Sequence, residues 1–187
     1  MRVIAGTSRG IKLSAPPGTK TRPTSDRVKE ALFSILASRI DFTAIRVLDI
    51  CAGTGSLGIE ALSRGAASCC FIESSLSIKP ILEKNLIATC CLERSEIVAT
   101  DAVKALRAIA GRGRSFELVL FDPPYDSELY QSVMEVLDST ALLTTGSIMV
   151  AECSARRELS ESYGRLKRFD RRVYGETALE LFIQEEK

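Results

Sequence analysis

Two stretches of this chain hold residue types at spacings that suit chemistry. The first reads Leu48-Asp49-Ile50-Cys51-Ala52-Gly53-Thr54-Gly55-Ser56-Leu57-Gly58. Gly53, Gly55 and Gly58 satisfy G-x-G-x-x-G, in which glycines permit a tight turn and let a ligand approach the backbone. Glu73 stands 20 residues beyond Gly53, where a carboxylate can accept hydrogen bonds from both ribose hydroxyls. Asp49 is placed to bind a ligand's ammonium group. Asp101 is placed to accept from an adenine amino group. The glycines and Glu73 alone also suit a nicotinamide-dependent reductase; Asp49 and Asp101 favour S-adenosylmethionine (SAM). The expected cofactor contacts are Asp49, Ala52, Gly53, Thr54, Gly55, Gly58, Glu73, Asp101 and Asp122.

The second stretch is Asp122-Pro123-Pro124-Tyr125, which closes the apolar run 118–121. A planar exocyclic amine is a poor nucleophile because its lone pair is delocalised into the ring. The Asp122 carboxylate and the Pro123 carbonyl can hold the N–H groups and favour a more tetrahedral nitrogen. Pro123 and Pro124 fix φ and remove competing donors. Tyr125 offers a face for a flipped base. All four are expected in the catalytic centre. Direct displacement on a sulfonium methyl gains chiefly from alignment, and needs neither metal nor covalent intermediate.

Two absences agree with that chemistry. The chain has no histidine, which removes Ser-His-Asp and Cys-His nucleophile systems and most catalytic zinc sites. No Pro-Cys dipeptide occurs, which argues against a cysteine attacking a pyrimidine ring. The six cysteines include no C-x-x-C pair, so small buried side chains in a reducing compartment are expected and no metal site.

These motifs need a scaffold that brings strand ends together. From residue 45 onwards, apolar strands at 45–50, 68–73, 96–100, 116–121 and 147–153 alternate with helices at 56–64, 78–91, 102–110 and 128–138. That alternation predicts an α/β, Rossmann-like sheet, mostly parallel. Runs at 166–174 and 178–184 add an antiparallel hairpin, giving seven strands in the class I SAM-dependent methyltransferase arrangement. Before residue 45, a short hairpin from 3–5 and 11–14 and an amphipathic helix over 24–38, capped by Thr24, are expected. The division expected is an N-terminal extension over 1–44 and a methyltransferase domain over 45–187.

The chain has 187 residues, 45% of them hydrophobic, with net charge +1. One ordinary globular domain is expected, in the cytoplasm, with no membrane association. The charge is uneven. Residues 1–30 and 156–172 are both rich in lysine and arginine, which points to a polyanionic partner.

With these residues in view, the chain resembles the RsmD family, bacterial 16S rRNA guanine-N2 methyltransferases. The resemblance covers nearly the whole chain. It rests most specifically on Arg22-Pro23-Thr24-Ser25-Asp26-Arg27, with Arg2-Val3-Ile4-Ala5-Gly6, Arg9-Gly10, the glycine loop, residues 60–66, Asp122-Pro123-Pro124-Tyr125 and the closing hairpin. It implies SAM as cofactor and a guanine amino group in 16S rRNA as target, within the small ribosomal subunit or an assembly intermediate. It places Arg9, Arg22, Thr24, Asp26 and Arg27 at the RNA, over the cofactor and target pocket. A monomer is expected. Two positions depart from the family pattern: Cys51, where Phe is frequent, and Ser74-Ser75, where a second acid often follows Glu73. Asp-Pro-Pro-Tyr itself serves any exocyclic amine, so adenine N6 in DNA or RNA stays open. A non-catalytic RNA-binding protein on the same fold is a further reading.

Overall fold

The computed structural model describes residues 1–16, 26–124 and 127–186. Arg22, Thr24 and Tyr125 therefore lie outside the described residues, as does the cap assigned to Thr24.

Among the described residues, eight strands form one sheet in the order β3-β2-β1-β4-β5-β8-β7-β6. They are β1 Arg46–Ile50, β2 Ser68–Ile72, β3 Ser95–Val98, β4 Phe116–Phe121, β5 Leu143–Ser154, β6 Ser162–Tyr163, β7 Leu166–Tyr174 and β8 Thr177–Gln184. The first five pair in parallel, and β8 enters antiparallel between β5 and β7. The sheet is thus the expected mostly parallel one with an antiparallel hairpin. A two-residue strand, β6, is added at its edge. Residues 48, 50, 118–121 and 148–151 are all buried, because parallel strands covered by helices on both faces have no solvent side.

Helices α1 Asp26–Ala37, α2 Ser56–Ser63 and α3 Lys79–Ala88 cover one face. Helices α4 Ala102–Ala110 and α5 Leu129–Ser139 cover the other. Pro80 stands in the first turn of α3, where its missing N–H has no intrahelical partner to lose. That helix ends short of the expected 78–91. Cys90 takes φ 55°, a left-handed turn that stops an α-helix, and a 3-10 turn at Leu92–Arg94 follows.

The expected N-terminal hairpin is present in short form. An antiparallel bridge joins Arg2 and Lys12, flanked by bonds from Val3 N to Ile11 O at 3.0 Å, Gly10 N to Val3 O at 2.9 Å and Leu13 N to Met1 O at 3.2 Å. Beyond Val3 the arm bonds to α2 instead. Ile4 N and Ala5 N donate to the Glu60 carboxylate of α2 at 2.8 and 3.0 Å. Val3, Leu13, Leu32, Phe33 and Leu36 all join the cluster that contains β1 and α2. The described residues before 45 therefore pack into the same core as the sheet.

Candidate active site

The C-terminal ends of β1 to β4 open along one edge, since these strands are parallel. The pairing runs one or two residues past the strand ends. Ala52 N donates to Ile72 O at 3.0 Å, Glu73 N to Val98 O at 3.2 Å, and Asp122 N to Ile50 O at 3.3 Å. In this strand order the chain reverses direction across the sheet between β1 and β4. Open α/β sheets bind ligands at that switch point, because the loops there diverge and leave a crevice. The glycine loop lies on one side of it and Asp122 on the other.

Three side chains, Asp49 of β1, Glu73 after β2 and Asn85 of α3, hold the glycine loop. Gly53 and Gly55 have φ of 54° and 81°, left-handed values that a β-carbon makes costly. Glu73 Oε2 accepts from Gly53 N at 2.8 Å, and Oε1 accepts from Ser75 N at 2.7 Å. Asp49 Oδ2 accepts from Gly58 N at 2.9 Å, in the first turn of α2, where an anion faces the positive end of the helix dipole. The Thr54 carbonyl accepts from Asn85 Nδ2 at 2.9 Å. A β-carbon on Gly58 would lie 2.7 Å from Cys69 Sγ and closer still to the Phe71 ring, so α2 reaches β2 only because residue 58 has no side chain.

The acids expected at the cofactor thus also build the loop. Asp101 caps α4, with Oδ1 accepting from Lys104 N at 3.1 Å. Each carboxylate oxygen has two acceptor positions, so these roles are compatible with binding ribose or amino groups. A β-carbon on Gly53 would meet nothing within 4 Å, which leaves open space above the loop. Carboxyl groups at or beside three successive strand ends suit a ligand that presents an ammonium group, ribose hydroxyls and an adenine amine. The residues present fit SAM.

Cys51 registers how closely the acids converge. Burial pushes its thiol up to about 12, and the charges of Glu73, Asp49, Asp122 and Asp101 push in the same direction. A thiol held that high is no nucleophile at neutral pH.

Burial raises the Asp49 carboxyl from 3.8 to about 7, the Gly58 N–H opposes the shift, and Glu73 adds to it. The folded protein then binds more protons than the unfolded chain between these values, so stability falls as pH rises through that window. Asp49→Asn keeps an acceptor for Gly58 N and cannot ionise. We expect its melting temperature without cofactor to exceed wild type at pH 8, with little difference at pH 4. Thermal melts at the two pH values check this; equal melting temperatures at pH 8 would count against an ionised, buried Asp49.

Asp122 is half-buried, Pro123 buried and Pro124 exposed. Ser127 N donates to Pro124 O at 2.9 Å, and Phe121 meets the Tyr130 ring edge-on at 5.4 Å. Sequence reasoning missed Glu152. Phe121 pairs with Ala151, so Asp122 and Glu152 are each one residue beyond that pair on adjacent strands. Phe121 and Ala151 face α4 and α5. Strand alternation therefore turns Glu152 toward the other face, while Asp122 follows the end of the neighbouring β4. Glu152 is 4% exposed. Its signal in the sequence is an acid inside an otherwise apolar strand.

The two basic ends behave differently. Arg9 and Arg27 are exposed, as is Lys12, and among the described residues none of the three has a carboxylate partner. Asp26 pairs with Arg2 at 3.6 Å. In the C-terminal segment, by contrast, the arginines are largely engaged within the protein. Arg168 and Arg171 bind the fully buried Glu180 at 3.0 and 2.8 Å. Arg172 binds Asp170 at 3.0 Å, and Arg165 Nε lies 3.9 Å from Asp138. Arg157 lies 4.7 Å over the Tyr130 ring. Local charge excess in the sequence overstated this face, because it does not show which charges pair across strands.

Sheet order, glycine loop and acidic strand ends define a SAM-dependent methyltransferase. The solved structure of Escherichia coli yhhF matches with a TM-score of 0.86 and 33% identity, covering 100% of this chain and 99% of that one. A Salinibacter ruber RNA methyltransferase, solved with S-adenosylhomocysteine, shares the fold at a TM-score of 0.63 and 17% identity, over 89% of this chain and 95% of its own. The family model described as Conserved hypothetical protein 95 matches residues 1–183. Escherichia coli ribosomal RNA small subunit methyltransferase D is 33% identical over 185 residues, which is 99% of this chain and 90% of that protein. Its Haemophilus influenzae namesake is 34% identical over 160 residues, 85% and 81% of the two chains. The chain belongs to this family, the RsmD family.

Proposed function

We propose that this protein transfers the methyl group of SAM to the exocyclic N2 of one guanine in 16S rRNA, within the small ribosomal subunit or its assembly intermediate. What supports the choice of base is that two carboxylates, Asp122 after β4 and Glu152 in the adjacent β5, each stand one residue beyond the paired Phe121 and Ala151. Guanine presents N1–H and N2–H as adjacent donors, which carboxylates can accept. Adenine presents an acceptor at N1, which a carboxylate would repel. The names of the Escherichia coli and Haemophilus influenzae relatives support the rRNA target.

When bound, SAM supplies an electrophilic methyl on a positively charged sulfur. Asp49, Glu73 and Asp101 hold its ammonium, ribose and adenine groups, with Ala52, Gly53, Thr54, Gly55 and Gly58 forming the backbone cradle. Asp122 and the Pro123 carbonyl hold the target N2–H groups and aim the nitrogen lone pair along the line of displacement. The new N–C bond forms as the C–S bond breaks and sulfur keeps the electron pair. The amine's proton then leaves to solvent by way of the Asp122 carboxylate. Residues 45–187 supply this chemistry. Residues 1–44 form an N-terminal extension; Arg9, Arg22, Thr24, Asp26 and Arg27 contact RNA, and Tyr125 stacks on the flipped base. The protein acts as a cytoplasmic monomer.

The deciding experiment methylates 16S rRNA and small-subunit particles with labelled SAM and identifies the product nucleoside. N2-methylguanosine is expected; N6-methyladenosine would sink the guanine assignment. Glu152→Gln is expected to slow methylation by about tenfold, the cost of weakening one charged hydrogen bond, while SAM affinity stays within twofold. Unchanged turnover would remove Glu152 from base recognition. RNA affinity should fall on the order of tenfold between 50 and 200 mM salt, as expected for a few phosphate contacts by Arg9, Lys12 and Arg27. A filter-binding series that is flat over that range would exclude a basic RNA face.

A further inference from the structure

We propose that Asn85 is a positioning residue that couples cofactor binding at the glycine loop to RNA binding on the N-terminal arm; this rests on the function proposed above. Asn85 lies on α3 and is 1% exposed. Its Oδ1 accepts from Ser14 N at 2.7 Å, and its Nδ2 donates to Ser14 O at 3.1 Å. The second Nδ2 proton goes to Thr54 O at 2.9 Å, inside the glycine loop. One rigid planar amide therefore grips the arm by both backbone groups of Ser14 and the cofactor loop by a carbonyl.

What lies on either side gives the bridge its consequence. The arm carries the exposed cations Arg9 and Lys12. Its other hydrogen bonds run mainly to helices, from Ser8 Oγ to Thr89 O at 2.8 Å and Thr7 N to Ser63 O at 2.8 Å. Other contacts also reach toward the loop: Thr54 Oγ1 lies 3.9 Å from Met1 Sδ, and Lys29 Nζ donates to Arg2 O at 2.7 Å and to Ser56 Oγ at 3.1 Å. Among these, the amide of Asn85 is the one that bonds a backbone group of the loop, Thr54 O. Leu82, one turn earlier on the same face of α3, packs against Gly55, so the helix and the loop shift as one body. Phosphates drawn to Arg9 and Lys12 fix Ser14, and through Asn85 they fix the Thr54 carbonyl. Cofactor that orders the loop fixes Ser14 in return. Such coupling is reciprocal: each ligand must raise the other's affinity by the same factor.

The test measures the affinity of the full-length protein for small-subunit particles with and without S-adenosylhomocysteine, and for S-adenosylhomocysteine with and without particles. Wild type is expected to show a factor of about five or more, equal in both directions. Asn85→Leu, which matches the side chain in size and offers no hydrogen bond, should bring the factor to within twofold of one. Asn85→Ala should do the same and serves if the leucine variant does not fold. A wild-type factor of one overturns the proposal. So does a variant that binds each ligand more weakly and keeps the wild-type factor, which is what a purely structural residue would show. If wild type binds neither ligand, the proposed function itself fails. If it binds both without coupling, the assignment of Asn85 alone falls.

Discussion

Asp122→Ala is expected to lower methyl transfer by about 10²–10³-fold or more, the range seen when one preorganised hydrogen-bonding group is removed from a reacting centre. SAM affinity should change by only a few-fold. The reason is positional. Asp122 is joined to Ile50 through its backbone N–H, so its placement at the switch point does not depend on its side chain. The cradle around the cofactor is fastened by Asp49, Glu73 and Asn85 instead. Asp122→Asn keeps one acceptor and should retain intermediate activity. Single-turnover methylation, with cofactor affinity measured by calorimetry, checks all three statements. If the alanine variant methylates at the wild-type rate, the chain is a binding protein on a methyltransferase fold, or its reacting centre lies elsewhere.

The second large effect concerns folding. Glu60 is fully buried on α2. It accepts from Ile4 N, Ala5 N and Arg64 Nε, the last at 2.9 Å, and lies 3.6 Å from Lys29 Nζ. Lys29 is equally buried, and its Nζ also donates to Arg2 O at 2.7 Å and Ser56 Oγ at 3.1 Å. Burial lowers the Lys29 pKa, and the Glu60 charge opposes that shift. Glu60→Ala would leave a buried ammonium without its counter-ion and two amide groups without an acceptor. We expect a loss of about 3–5 kcal/mol, as for other buried pairs broken on one side. Denaturant unfolding measures it. Replacing both residues, as Lys29→Met with Glu60→Gln, should cost less than Glu60→Ala alone, because no unpaired charge stays buried. If the double variant is the less stable one, the pair stabilises the fold outright rather than merely compensating its own desolvation.

Much of the scaffold was legible because period and punctuation agree. Apolar runs such as Leu118-Val119-Leu120-Phe121 have no polar alternation, which only a strand buried on both faces requires. The glycine loop was legible because a backbone conformation restricts residue type directly, and the 20-residue step to Glu73 is the length of one turn, helix and strand. The N-terminal hairpin was legible from alternation, whereas its attachment to the buried Glu60, distant in sequence, was not. The C-terminal basic cluster was misread for a related cause: Glu180 is a single acid in the sequence and a double counter-ion in the fold.

The sequence by itself determined the local chemistry: a turn that needs glycine, an acid followed by two prolines, and a reaction that proceeds without imidazole. Those follow from covalent structure and short-range sterics, which do not depend on distant residues. Tertiary structure alone decided what stands beside each group. Glu152 comes to the strand next to the one that ends before Asp122 only through strand register, and Asn85 joins Ser14 to Thr54 across separations of 71 and 31 residues. Contacts of that span are set by how the whole core packs, and no spacing along the chain records them.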